Sequence, residues 1–312
     1  MKLLLVDGHY YAYRSFYAIR NLSNSKGEPT NALFGMAKAL KKMLADVKPD
    51  LAAVVMDGGL PAHRLAEHES YKANRAETPD LLAKQIPLFQ DLVPALGLAC
   101  LTVEGEEADD VLASYAREAA REKIDVVLAT NDKDLMQLVG DNLSVYQPTP
   151  AGFDLIDAAA VREKWGVPPE KIGEILTLTG DAVDNIPGVP GVGPKTAATW
   201  IQAYSTVDGL LAHLHELKSE RHRQMLESSR DILARNRKLV MLREDLPLPR
   251  PIGELQITPD WAAQARLFAA YEFRGFLAEA QRMLGGAPAP EARREKQEKP
   301  PAPPTWSQGE LL

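Results

Sequence analysis

Carboxylates recur in this chain directly after short apolar runs. Leu3-Leu4-Leu5-Val6 ends at Asp7, and Ala52-Ala53-Val54-Val55-Met56 ends at Asp57. The run Leu98 to Val103 leads into Glu104-Gly105-Glu106-Glu107-Ala108-Asp109-Asp110, and Val126 to Ala129 leads to Asn131-Asp132-Lys133-Asp134. A further pair, Asp181 and Asp184, follows Ile175 to Gly180. Carboxylates gathered so densely stay ionised only with cations among them. Their hard oxygens favour Mg²⁺, with Mn²⁺ as a substitute. A carboxylate-lined site for two such ions suits phosphodiester hydrolysis.

The acids meet only if the fold brings them together. Short apolar runs ended by acids and followed by helical patterns read as buried parallel strands with helical crossovers. In such sheets the functional crevice lies beyond the carboxyl ends of the strands. Blander readings exist for parts of the set. Glu107, Asp109 and Asp110 open a helix with the apolar face Val111, Leu112, Tyr115, Ala116 and Ala119, where acids also favour the helix dipole. Capping leaves Asp7, Asp57, Asp132 and Asp134 unexplained. Asp181 and Asp184, three residues apart, either face one way on a helical turn or form a solvated turn.

Composition sets outer limits. The 312 residues, 45% hydrophobic and 25% charged, suit a soluble globular protein of one large or two ordinary domains. The single cysteine, Cys100, excludes an internal disulfide framework and a Cys-based zinc site, and reads as a buried structural thiol. The apolar start is too short for a signal peptide, and no run reaches the ~20 apolar residues of a membrane span. The cytoplasm is the expected location, and a monomer the expected state. A net charge of −7 argues on its own against a nucleic-acid binder. Setting aside the nine candidate ligands turns the balance of the remainder positive.

Along the chain, residues 1–165 alternate strand and helix patterns, with one helical run beginning at Thr30. Residues 61–80 interrupt the alternation with a basic and aromatic stretch, long for a loop in a compact domain. There Lys72 and Arg75 could steady a scissile phosphate and Tyr71 stack on an unpaired base, or the stretch is a solvated loop. Tyr13, on the face after Asp7, could reach the site mouth. His9 and His63 read as surface or structural. From 166 to 285 helical patterns dominate. Gly188-Val189-Pro190-Gly191-Val192-Gly193-Pro194-Lys195 follows a helical pattern and fits neither the dinucleotide fingerprint nor a P-loop. It suits a helix-hairpin-helix, whose backbone N–H groups and helix N-terminus can hold a duplex phosphate, with an ordinary helix-to-helix turn as the alternative. Residues 286–312 form a Pro- and charge-rich tail, expected to be disordered.

The motifs Val6-Asp7-Gly8, Met56-Asp57, Tyr71-Lys72-Ala73-Asn74-Arg75, Glu107-Ala108-Asp109-Asp110, Asp132-Lys133-Asp134-Leu135, Gly180-Asp181, and Asp184-Asn185-Ile186-Pro187-Gly188 through Gly193-Pro194-Lys195-Thr196-Ala197 closely resemble the bacterial 5′-nuclease family. That family includes the N-terminal domain of DNA polymerase I, phage 5′-exonucleases and flap endonucleases, and the likeness covers about residues 1–285. It implies an α/β fold with a mostly parallel twisted sheet flanked by helices (PIN/resolvase-like), followed by a helical helix-three-turn-helix domain. Asp7, Asp57, Glu107 and Asp109 would form a first metal cluster and Asp132, Asp134, Asp181 and Asp184 a second, with Asp110 beside both. Residues 61–80 would be a helical arch, with Arg64 its arginine and Lys72 and Arg75 facing the scissile phosphate. Tyr13 would stack on the terminal base. Gly188, Gly191, Gly193, Lys195 and Thr196 would grip the duplex, with K⁺ as a bridge.

Departures from the family pattern are Asn131 in place of a common glycine, His63 in place of a common aromatic, and the acidic Glu67 and Glu69 within the arch. The chain looks like a free-standing 5′-nuclease for primer or flap removal and repair, acting on a free 5′ end, flap or nick. In its tail, Gln308, Leu311 and Leu312 resemble a sliding-clamp peptide, with a frayed terminus as the alternative. Two rival functions remain, a non-catalytic binder of DNA structures and a phosphohydrolase for small phosphates.

Overall fold

The computed structural model describes residues 1–285; the tail with Gln308, Leu311 and Leu312 lies outside the described residues. Six strands form the main sheet: β1 Lys2–Asp7, β2 Leu51–Met56, β3 Ala99–Thr102, β4 Asp125–Ala129, β5 Leu143–Thr149 and β6 Gly152–Ile156. Their order is β3-β2-β1-β4-β5-β6. All neighbours are parallel except the β5–β6 hairpin. The α/β sheet expected from the apolar runs is therefore the observed one.

Strand alternation sends successive residues to opposite faces, and both faces are buried. Leu3, Leu5, Ala53, Val55, Val126 and Leu128 pack with Val111, Leu112 and Tyr115 of helix Ala108–Arg121. Leu4, Val6, Ala52, Val54, Val127 and Ala129 pack with Leu33, Met36 and Leu40 of helix Asn31–Val47 and with Phe89 and Leu92 of helix Phe89–Ala95. The chain steps outward from β1 through β2 to β3, then returns to β4 on the other side of β1. That reversal opens the crevice between β1 and β4, where open α/β sheets hold ligands. Cys100 is half-buried in the edge strand β3, and burial pushes its thiol up to about 11, which keeps it unreactive at neutral pH.

Beyond residue 166 the helices Ile172–Thr179, Pro194–Tyr204, Val207–Ala212, Glu220–Ser228 and Arg230–Val240 follow. Between the first two lies a miniature ladder, β7 Gly180–Asp181 with β8 Ile186–Pro187, too short to leave a periodic sequence signal. Helices dominate residues 166–285, but they do not all pack together. Helices Trp261–Ala270 and Arg274–Met283 return to the α/β layer, where Phe268 and Phe273 join the core beside Phe34. The approach to them is tied to β2 by the Ala52 N–H, which donates to the Leu255 carbonyl. Among the described residues no helix is long and apolar enough to cross a membrane.

In residues 61–80, expected as a helical arch, helix Ala62–Glu67 is followed by turns up to helix Asp80–Ala83. This strap is stitched to residues 182–185. Asn185 Nδ2 donates to Ser70 O at 2.6 Å, Asn74 Nδ2 to Ala182 O at 2.7 Å, and the Lys72 N–H to Asp184 O at 3.0 Å. Lys72 (φ 57°) and Asn185 (φ 58°) both take left-handed backbone to make these turns.

Candidate metal centre and phosphate-binding hairpin

Asp7 ends β1 and caps the next helix, so its position is fixed twice. Its Oδ1 accepts the Tyr10 N–H at 2.9 Å and its Oδ2 the Thr130 hydroxyl at 3.0 Å. Burial pushes this carboxyl up to about 7, with Asp57 and Asp132 adding repulsion. Asp57 follows β2 and accepts the Ala108 N–H at 2.8 Å. Its own N–H donates to His9 Nδ1 at 3.0 Å, which gives His9 a positioning role in the site.

Asp109 stands in the first turn of helix Ala108–Arg121, its carboxyl held well above the usual range by burial and by Asp132 and Asp7. Asp132 and Asp134 lie on the turn after β4. Burial raises both, Asp184 and Asp181 act on Asp132, and Asp132 and Asp181 act on Asp134. Asp132 thus sits electrostatically between the two expected clusters, which makes them one crevice.

Asp134, Asp181 and Asp184 each present an oxygen within 4.8 Å of the others. Asp134 Oδ1 is buried and has no hydrogen-bond partner among the described residues. An all-carboxylate donor set with an orphaned buried oxygen fits a hard divalent cation.

Several cations already reach these acids. Lys72 Nζ lies 2.5 Å from Glu107 and 3.6 Å from Asp184, and Arg75 lies 2.5 Å from Asp184. Lys133, which sequence reasoning passed over, lies 2.7 Å from Asp181. The only sequence signal for it was its place between two acids.

Three expected roles need correction. Asp110 is fully buried, and both its oxygens are taken by the Arg64 guanidinium at 2.7 and 2.8 Å, with the Arg243 N–H also on Oδ1 at 2.9 Å. It is the anion of a buried ion pair, which is a structural role. Arg64 is 2% exposed; it also pairs with Glu107 and donates from Nε to Leu239 O at 3.1 Å, so its guanidinium is engaged inside the fold. Tyr71 is buried too, its hydroxyl directed at Glu107 (3.1 Å) and Asp184 (3.3 Å), and its ring lies in the core, where no base can stack. Tyr13 stays half-buried beside the strap, with its hydroxyl 2.7 Å from Thr78 Oγ1.

The glycine hairpin is held from below. The Val189 N–H donates to Leu178 O at 2.8 Å, and a Cβ on Gly188 would lie 2.0 Å from Thr179 O, so only glycine fits there. Buried Asn236, unnoticed in the sequence, donates from Nδ2 to Thr177 O at 3.2 Å and Pro187 O at 2.9 Å. Gly191 has φ 77°, open to glycine. Gly193, just before helix Pro194–Tyr204, has φ −98° and open space where a Cβ would be. Nothing among the described residues requires glycine at 193. Exposed Lys195 and half-buried Thr196 follow in the first helical turn, whose N–H groups have no intrahelical acceptors.

Comparison with known proteins agrees with this arrangement. Residues 2–166 match the model of the 5′-3′ exonuclease N-terminal resolvase-like domain, and residues 167–262 that of the 5′-3′ exonuclease C-terminal SAM fold. The thermostable DNA polymerase I of Thermus thermophilus is 40% identical over 291 residues, covering 93% of this chain and 34% of the polymerase. DNA polymerase I of Rhizobium leguminosarum is 39% identical over 265 residues, covering 82% of this chain and 26% of that protein. The chain thus spans about a third or less of these relatives.

Among solved structures, a bacteriophage T5 flap endonuclease in a pseudo-enzyme-product complex with DNA and metal ions matches with TM-score 0.63 at 21% identity, covering 91% of this chain and all of that one (100%). The catalytic core of Rad2 in complex with DNA substrate matches with TM-score 0.61 at 14% identity, covering 89% and 92%. These two likenesses are of fold. Matched by both family models and by relatives at 40% identity over nearly its whole described length, the chain belongs to the 5′-3′ exonuclease family.

Proposed function

We propose that this protein is a structure-specific 5′-nuclease that hydrolyses phosphodiester bonds at free 5′ ends, nicks and 5′ flaps of DNA, with two Mg²⁺ ions, replaceable by Mn²⁺, in the carboxylate crevice. The observation that carries the reading is the grouping of Asp134, which has an orphaned oxygen, with Asp181 and Asp184 at the edge where Asp7, Asp57, Asp109 and Asp132 crowd. Asp7, Asp57, Glu107 and Asp109 would hold one ion and Asp134, Asp181 and Asp184 the other, with Asp132 between them. Divalent ions there supply charge stabilisation at the phosphate and activation of the attacking water. Water adds to phosphorus and the 3′ oxygen leaves, giving a 5′-phosphate and a 3′-hydroxyl.

Lys72 and Arg75 project from the strap toward the same acids, and would neutralise charge developing on the non-bridging oxygens. Tyr13 would stack on the terminal base. Gly188, Gly191, Gly193, Lys195 and Thr196 offer backbone N–H groups and one cation to a duplex phosphate, with K⁺ a candidate bridge. Such contacts carry no base readout, so selectivity is for DNA structure. In this division of labour residues 1–165 cut and the helices from 166 to about 250 grip. The role belongs to primer or flap removal and repair beside the chromosome in the cytoplasm, with the enzyme as a monomer. A peptide of residues 300–312 is expected to bind a sliding clamp through Gln308, Leu311 and Leu312; no binding at high micromolar concentration removes that partner.

The test compares Mg²⁺-dependent rates on a single-flap duplex, a nicked duplex, a duplex with blocked 5′ ends and a small phosphomonoester. The proposal expects the flap and nick to be cut and the last two to be spared. Equal rates on the phosphomonoester would favour a general phosphohydrolase. Tight flap binding without cleavage would favour a non-catalytic DNA-structure binder.

A further inference from the structure

The cations that enter the carboxylate crevice are held in different ways. Lys72 is clamped: its Nζ touches Glu107, faces Asp184 and lies 5.1 Å from the Tyr71 ring centroid, and its side chain is only 10% exposed. Arg75 comes from a strap whose backbone is itself bonded to residues 182–185. Among the described residues Lys133 pairs with one carboxylate, Asp181, and its side chain is 37% exposed.

The surroundings of Lys133 stand without its ammonium. On its own turn the Asp132 N–H donates to Thr130 Oγ1 at 3.0 Å and the Asp134 N–H to Asp132 Oδ1 at 2.8 Å. Its partner is anchored separately, since Asp181 Oδ1 accepts the Val183 N–H at 3.0 Å and Asp181 pairs with Ile186 in the small ladder. Lys133 therefore does not support the crevice; it neutralises it. Its flexible four-carbon stem lets a compact ammonium move to solvent without disturbing the backbone.

The geometry points to Lys133 as a built-in competitor for the divalent cation at Asp134, Asp181 and Asp184: its ammonium occupies Asp181 until the ion displaces it. This rests on reading those carboxylates as a metal site. A resident positive charge beside a shared set of carboxylates opposes an incoming cation, so it lowers the ion's affinity and keeps the ion exchangeable. Lys72 also faces this group, at Asp184, but Glu107 and the Tyr71 ring clamp its ammonium, so it is not free to leave.

The test is Mn²⁺ titration of the full chain, with free Mn²⁺ read by electron paramagnetic resonance, on the wild type, Lys133→Met, Lys133→Gln, Lys133→Arg and Asp134→Asn. The expected result is Mn²⁺ binding roughly tenfold tighter in both neutral variants, with Lys133→Arg close to wild type. Both neutral variants should also melt at lower temperature without metal and gain more on its addition. Wild-type-like or weaker Mn²⁺ binding in the neutral variants overturns the competitor role while leaving the metal site intact. Tighter binding in Lys133→Arg as well overturns the charge argument. Absence of Mn²⁺ binding to the wild type, or unchanged binding in Asp134→Asn, overturns the metal site and the competitor role together.

Discussion

The sheet edge and the glycine hairpin would face the same DNA under the proposed function, yet they are made of opposite materials. The edge is built of side chains. Asp7, Asp109, Asp132 and Asp134 are crowded until their carboxyls hold protons above the usual range, and Lys72, Arg75 and Lys133 lean in to offset them. The hairpin is built of backbone. It is fixed from beneath by the Val189 N–H and by Asn236, while Gly191 and Gly193 leave its outer surface bare. The edge stores electrostatic strain that a divalent ion can relieve, and strain of this kind is how sites trade stability for activity. The hairpin stores none, and its contribution is shape.

Asp109→Ala probes the edge with the largest expected effect. Flap cleavage should fall by roughly a thousandfold or more while flap affinity is kept, because the hairpin is untouched. The metal-free variant should melt at higher temperature than the wild type, since one repelling carboxyl is gone. A variant that cuts normally would break the comparison outright.

Lys72→Ala should come next, with kcat reduced about a hundredfold and Mn²⁺ binding retained. Cleavage at the wild-type rate would remove Lys72 from the proposed chemistry.

The strain itself can be read from pH. Burial raises the Asp7 carboxyl from its ordinary 3.8 to about 7, and Asp109, Asp132 and Asp134 are raised as well. Between those two values the folded chain binds more protons than the unfolded one, so stability falls as pH rises. The metal-free Tm should therefore drop from pH 5 to pH 8. Metal binding releases these protons, so Mg²⁺ should raise Tm more at pH 8 than at pH 5. A metal-free Tm that rises across this range would deny the strain.

The smallest effect belongs to the hairpin. Gly193→Ala has room for its methyl and an ordinary φ, so stability should stay within about 0.5 kcal/mol. Affinity for flap DNA should nonetheless fall several-fold in fluorescence anisotropy, because the methyl blocks backbone approach to a phosphate. Unchanged affinity would mean that this glycine does not meet DNA.

Much of the edge was legible in the sequence because strand ends are marked twice, by an apolar run and by the acid that stops it. Asp7 ends β1, Asp57 and Asp132 follow β2 and β4, and the order of those strands gathers them. What could not be read was which neighbouring acid turns inward. Glu107, Asp109 and Asp110 begin one helix, and the rotation of that helix puts Asp110 under Arg64 while Asp109 faces Asp7 and Asp132. Arg64 and Tyr71 looked like exposed arch residues because the strap carries polar and basic residues all along; only packing against Leu239 and Asp184 shows that they point down. The return of Phe268 and Phe273 to the α/β layer was hidden for a similar reason, since a helix's apolar face does not name the surface that covers it.

The measurement closest to the central claim is cleavage of a 5′-labelled single-flap duplex with and without Mg²⁺, using Asp57→Ala and EDTA as controls. The account predicts Mg²⁺-dependent cleavage near the flap junction that is lost in both controls, with flap binding retained by Asp57→Ala. Cleavage that survives EDTA, or survives the loss of Asp57, would contradict a metal-dependent nuclease seated at the end of this sheet.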